Sequence, residues 1–179
     1  MSHKSSFPRR DFLRVATGLT IGGSLGLRPT MLLAAVDRAG GSVSRPVEYD
    51  LVIDRAGFRV DDRSSHAPTI NGSVPGPLVR LKEGQEAVLR VTNHLDEDTS
   101  LHWHGLLVPA DQDGVPGFSF EGIRPGETRT YRFDVRQAGT YWYHSHSGTQ
   151  EQEGMYAPLV IDPRGTDPVS YDREHVVVL

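Results

Sequence analysis

Four of the eight histidines stand in two H-x-H pairs, His102-Trp103-His104 and His144-Ser145-His146. On a β-strand, residues i and i+2 project from one face. Each pair therefore offers two imidazoles side by side, with Trp103 or Ser145 turned to the opposite face. Neutral imidazole is a common ligand for copper, zinc and iron, and a histidine set without a carboxylate-rich loop favours copper or zinc over calcium or magnesium. The chain has no cysteine. Disulfides, thiolate zinc sites, iron–sulfur clusters and thiol nucleophiles are thus excluded, and any metal must be held by histidine, carboxylate or methionine. One H-x-H pair alone reads as surface decoration. Two pairs beside aromatic residues (Trp103; Tyr141, Trp142, Tyr143) differ, because a fold that joins them buries four imidazoles that need partners or a metal. His3, His66, His94 and His175 lack a partner at ligand spacing and read as surface or tag-like residues.

The elements that must position these residues read as strands. Val47–Ile53, Glu86–Val91, Thr128–Val135, Gly139–His146 and Tyr156–Asp162 are short runs rich in β-branched and aromatic residues. Turn clusters such as Asn71-Gly72-Ser73-Val74-Pro75-Gly76-Pro77 separate them. No segment sustains a helical apolar stripe for three turns. The pattern predicts an all-β domain, an antiparallel two-sheet sandwich with Greek-key connections. A length of 179 residues suits one well-packed domain. The net charge of −4, without long charge runs, gives no electrostatic footprint for nucleic acid or an anionic membrane.

Residues 1–35 read as an export leader. Lys4, Arg9 and Arg10 precede an uncharged 13-residue stretch, Val15–Leu27, too short and too glycine-rich for a membrane anchor. The segment Pro8-Arg9-Arg10-Asp11-Phe12-Leu13-Arg14 resembles the twin-arginine export motif, with Pro8 where Ser or Thr is usual. Cleavage is expected near Ala34 or Ala35, with a second small-residue site near Ala39. Removing residues 1–35, which hold five basic and one acidic side chain, would take the net charge from −4 to −8.

Leu101-His102-Trp103-His104-Gly105 and Gly139-Thr140-Tyr141-Trp142-Tyr143-His144-Ser145-His146-Ser147-Gly148 resemble the two histidine motifs of the first cupredoxin domain of multicopper oxidases. The resemblance extends through Thr69–Pro77, Asp113-Gly114-Val115-Pro116-Gly117 and Pro125-Gly126-Glu127, in order and spacing. Within that family the leader, Val91–Glu97 and Gln150-Glu151-Gln152-Glu153-Gly154 are similar to periplasmic copper-resistance oxidases of the CopA type. The resemblance implies a cupredoxin-like sandwich. It implies His102 as a type 2 copper ligand, and His104, His144 and His146 as ligands of the type 3 pair, in a trinuclear cluster that reduces dioxygen to water. It places Asp113 as a carboxylate beside the cluster that assists proton delivery; a turn-forming Asp before Gly114 is the alternative.

The organisation expected is a leader (1–35), a linker (36–45), a first cupredoxin, plastocyanin-like domain (46–165) and the start of a connection to a following domain (166–179). Arg173–Leu179 ends on an apolar run, as if inside a strand. The type 1 copper, which needs a Cys thiolate, and the other cluster ligands are expected in remaining cupredoxin domains of a longer chain. The expected partners are dioxygen and a small reducing substrate, Cu(I) or a phenol, without nucleic acid or a stable membrane anchor. This fragment alone is expected to be inactive. A free-standing periplasmic copper- or zinc-binding module without oxidase activity is the alternative.

Overall fold

The computed structural model describes residues 45–167 and 169–178, and the leader and most of the linker lie outside them. Within the described residues eight strands form two four-stranded sheets: β1 (Val47–Val60), β2 (Arg63–Ile70), β3 (Val79–Lys82), β4 (Glu86–Asn93), β5 (His102–His104), β6 (Thr128–Asp134), β7 (Gly139–His144) and β8 (Tyr156–Asp162). The first sheet runs β2-β1-β4-β6 and the second β3-β8-β7-β5. The only helical pieces among the described residues are a 3-10 turn at Ala110–Gln112 and a four-residue helix, α1 (Gln150–Glu153).

The all-β sandwich is the one expected, but its sheets are mixed. β1 pairs parallel with β4, and β3 parallel with β8. The chain leaves β1 for β2, crosses to the other sheet as β3 and returns as β4, so it arrives beside β1 in the same direction. Parallel neighbours require such a crossover; antiparallel ones can be joined by a hairpin.

The core lies between the sheets. Leu51, Ile53, Leu89, Val91, Tyr131 and Phe133 from one sheet meet Val79, Leu81, Trp103, Tyr143, Leu159 and Ile161 from the other, all buried. Full burial of an aliphatic or Phe side chain contributes about 1.5–3 kcal/mol before the entropy of ordering is subtracted. Trp103 is wholly buried, its ring 5.2 Å edge-on from Tyr131 and 5.6 Å from Tyr143. That anchor holds the three-residue β5 in register, and by alternation turns His102 and His104 to the outer face of the sheet.

Residues 173–178 form no strand. A strand needs a ladder partner, and this stretch has none among the described residues. Glu174 instead joins Arg80, which is also hydrogen-bonded through two nitrogens to Asp162 at 2.9 and 2.7 Å. No helix of the described residues is long and apolar enough to cross a membrane.

Candidate metal centre

β5 and β7 are antiparallel neighbours, with His102 opposite His144 and His104 opposite Trp142. That register places residues from both histidine motifs on one face, as the alternation requires. The ring centroids of His102, His104 and His144 lie 5.3–5.5 Å apart. One nitrogen from each can be chosen so that all three fall within 4.8 Å of one another.

The second pair is not carried wholly on a strand. β7 ends at His144, and after one more ladder bond, from the Ser145 amide to the Met155 carbonyl, the His146 amide donates to Ser100 Oγ. Ser145 is buried, as expected of the residue between the pair, and His146 is exposed. The His146 ring stands 5.7 Å from His102 and 5.9 Å from His144, beside the three-histidine group and outside it.

Hydrogen bonds fix which nitrogens are free. His102 Nδ1 lies 2.9 Å from the Asp113 carbonyl oxygen, and His144 Nδ1 lies 2.8 Å from the Ser145 carbonyl oxygen. A carbonyl only accepts, so both Nδ1 atoms carry the proton. In the neutral rings Nε2 is then a bare lone pair, the form that binds a metal. Burial pushes the His144 imidazole below its ordinary pKa, against the Ser145 carbonyl and the Glu151 carboxylate, which favour its charged form. His144 Nε2 faces His104 Nδ1 at 3.2 Å. Two nitrogens bound to one ion at ~2.0–2.1 Å with near-tetrahedral angles stand ~3.3 Å apart. The nitrogens that share one proton in this structure are therefore spaced to share one cation, and the donor set fits a histidine-bound metal.

Asp113 meets His102 mainly through its backbone. Its carbonyl takes the Nδ1 hydrogen, while carboxylate Oδ2 stands 3.5 Å from the same nitrogen. The 3-10 turn before it is tied to β6, because Arg129 donates to the Asp111 carbonyl and the Arg132 amide donates to Gln112 Oε1. His66, His94 and His175 are exposed and apart from this group, and His3 lies outside the described residues.

Two features are missing from the sequence reading. Trp142 stacks on His144, with centroids 4.0 Å apart and planes 14° from parallel. Glu151 brings a carboxylate oxygen to 2.7 Å from His144 Nδ1. The Trp142 contact follows from i, i+2 spacing on β7. Glu151 carries no local signal, because it reaches His144 only through the turn into α1.

The family model described as "Multicopper oxidase" matches residues 53–166. Copper resistance protein A of Escherichia coli is 47% identical over 171 residues, 96% of this chain and 28% of that protein. Copper resistance protein A of Pseudomonas syringae pv. tomato is 48% identical over 176 residues, 98% of this chain and 29% of that protein. The chain thus spans less than a third of the length of these relatives. The crystal structure of the blue copper oxidase from Nitrosomonas europaea matches 68% of this chain and 40% of its own, at 38% identity and a TM-score of 0.63. That of Fet3p, a multicopper oxidase that functions in iron import, matches 72% of this chain and 25% of its own, at 33% identity and a TM-score of 0.65.

Proposed function

Because this chain belongs to the multicopper oxidase family, we propose that it supplies four histidine ligands to a trinuclear copper centre completed by the rest of a longer protein. His102 serves the type 2 ion, and His104, His144 and His146 serve the type 3 pair. The observation that carries this reading is the convergence of His102, His104 and His144, two of them with the outer nitrogen already committed to a carbonyl. The chemistry that copper supplies when bound is one-electron transfer, here joining oxidation of a reducing substrate to four-electron reduction of dioxygen to water.

This chain's own residues prepare the site. The Asp113 and Ser145 carbonyls orient His102 and His144 so that Nε2 is the free atom. Trp142 covers one face of the His144 ring and restricts its rotation. In this reading the Asp113 carboxylate, beside His102 with Oδ2 3.5 Å from Nδ1, assists proton delivery toward the site.

With no cysteine in the chain, the type 1 copper belongs to a further cupredoxin domain, and these residues alone do not turn over. Similarity to proteins named for copper resistance favours Cu(I) as the reductant over a phenol. The Arg9-Arg10 leader supports export to the periplasm by the twin-arginine route.

Removal of metal and its return test this reading. Stripping the full-length protein with a chelator is expected to abolish oxygen consumption, and reloading with copper to restore it where zinc does not. Copper present at a hundred times its Kd is also expected to stabilise the fold by ~2.7 kcal/mol, read as a rise in Tm. Oxygen consumption by the stripped protein, or equal recovery with zinc, would contradict the oxidase reading.

A further inference from the structure

His144 is the most buried of the four histidines, and its Nδ1 lies within 2.8 Å of two oxygens, of which the Ser145 carbonyl takes the hydrogen bond. One is the carbonyl of Ser145, the next residue in the chain. The other is the carboxylate of Glu151, seven residues on, which chain connectivity alone does not bring there. Its reach of 2.7 Å depends on α1, a helix too short to stand by itself.

The neighbouring residue holds that helix in place. Gln150 is buried at 3% exposure, and its Oε1 accepts from both Thr99 Oγ1 and Ser145 Oγ, each at 2.8 Å. Its Nε2 donates to the Asp98 carbonyl at 3.1 Å, and its own carbonyl accepts the Met155 amide at 3.0 Å. Both polar atoms of the Gln150 side chain are thus used to clamp α1 to the segment that leads into β5. A buried amide with these bonds is costly to move, because displacing it strands several polar atoms without water. With Gln150 fixed, Glu151 points outward, against His144 and along an open cleft of about 530 Å³ that Trp142, Tyr156 and Pro158 also line.

We propose that Glu151 is the positioning residue for His144: its carboxylate, 2.7 Å from Nδ1, braces the ring whose Nδ1 hydrogen the Ser145 carbonyl takes, so that Nε2 stays aimed at the metal shared with His104. Carboxylate–histidine–metal arrangements of this kind fix ring orientation and raise ligand basicity, and losing the outer partner weakens metal affinity by ~10–100-fold. The Ser145 carbonyl remains when Glu151 is removed, which puts the expected loss at the lower end of that range. This inference rests on the reading of His144 as a copper ligand, and its test separates the two.

Copper affinity of the full-length protein is measured by competition with EDTA for the wild type and for Glu151→Ala, Glu151→Gln and His144→Ala, together with the Tm of each metal-free protein. Glu151→Ala is expected to bind copper about 10-fold more weakly with an unchanged metal-free Tm, since the side chain is part-exposed. Glu151→Gln keeps the length of the side chain and an oxygen to stand beside Nδ1, and is expected to recover affinity to within about 3-fold of wild type. Wild-type affinity in Glu151→Ala, beside a clear loss in His144→Ala, would overturn the positioning role and leave the site intact. Equal losses in the Ala and Gln variants would overturn orientation as its basis. Wild-type affinity in His144→Ala would remove the ligand assignment itself.

Discussion

His104→Ala in the full-length protein is expected to abolish oxygen reduction while leaving the fold and the Tm of the metal-free protein unchanged. The two halves of that result have separate causes. His104 is exposed on the outer face of β5, and its backbone place is held by the buried Trp103, so truncating it removes little from the core. Surface substitutions of that kind stay within about 0.5 kcal/mol. Its Nδ1, however, is one of two nitrogens 3.2 Å apart that can grip a common ion. With one gone, the ion loses a direct ligand, and the loss of affinity should exceed the ~100-fold upper range for removing an outer partner. Copper content and oxygen uptake read the effect, and the Tm of the metal-free protein separates it from misfolding. Wild-type copper content in the variant would remove His104 from the ligand set.

Gly114→Ala should fail in the opposite way, by losing the fold around the site. Gly114 is buried with φ at +82°, and a Cβ built there would overlap the Leu101 carbonyl oxygen and stand 3.2 Å from the His102 Cα. The obstruction is backbone, so no side chain can swing aside. The left-handed conformation itself costs a non-glycine residue ~1–2 kcal/mol, and overpacking adds ~1–3 kcal/mol or more. A loss of roughly 2–5 kcal/mol is a large share of the ~5–15 kcal/mol that holds a domain together. The loop cannot simply lift away, because Arg129 and Arg132 of β6 tie the preceding turn down. Any shift that does occur moves the Asp113 carbonyl off His102 Nδ1. Urea unfolding and copper binding should therefore fall together in this variant, where His104→Ala lowers only the second. Wild-type stability in the Gly114→Ala protein would show that the loop packs against β5 less closely than described.

The contrast shows what the sequence could and could not convey. Period-2 alternation is a local property, and it suffices to turn His102 and His104 outward and Trp103 inward. Pairing between strands is not local. Nothing in Val47–Ile53 or Glu86–Val91 states that the two lie parallel, since that follows from the excursion through β2 and β3. The second half of β1 and all of β2 are also absent from the sequence pattern. Arg63-Ser64-Ser65-His66 is exposed, Pro68 argues against a strand, and the hairpin turns on Asp61-Asp62, with Asp61 at φ +52°, where Asn-Gly would have been the stronger signal. The pattern extends β7 to His146, but the strand stops two residues earlier, because the His146 amide leaves the ladder for Ser100. Glu151 is invisible for a related reason: its contact with His144 depends on the buried bonds of Gln150, set by residues some fifty positions upstream.

The proposed centre requires His104 and His144 to share one copper ion. The most direct measurement is anomalous scattering at the copper edge from crystals of the copper-loaded full-length protein. A peak is expected within ~2.0–2.1 Å, the usual metal–imidazole distance, of both His104 Nδ1 and His144 Nε2. Copper located elsewhere, with those two nitrogens still hydrogen-bonded to each other, would contradict it.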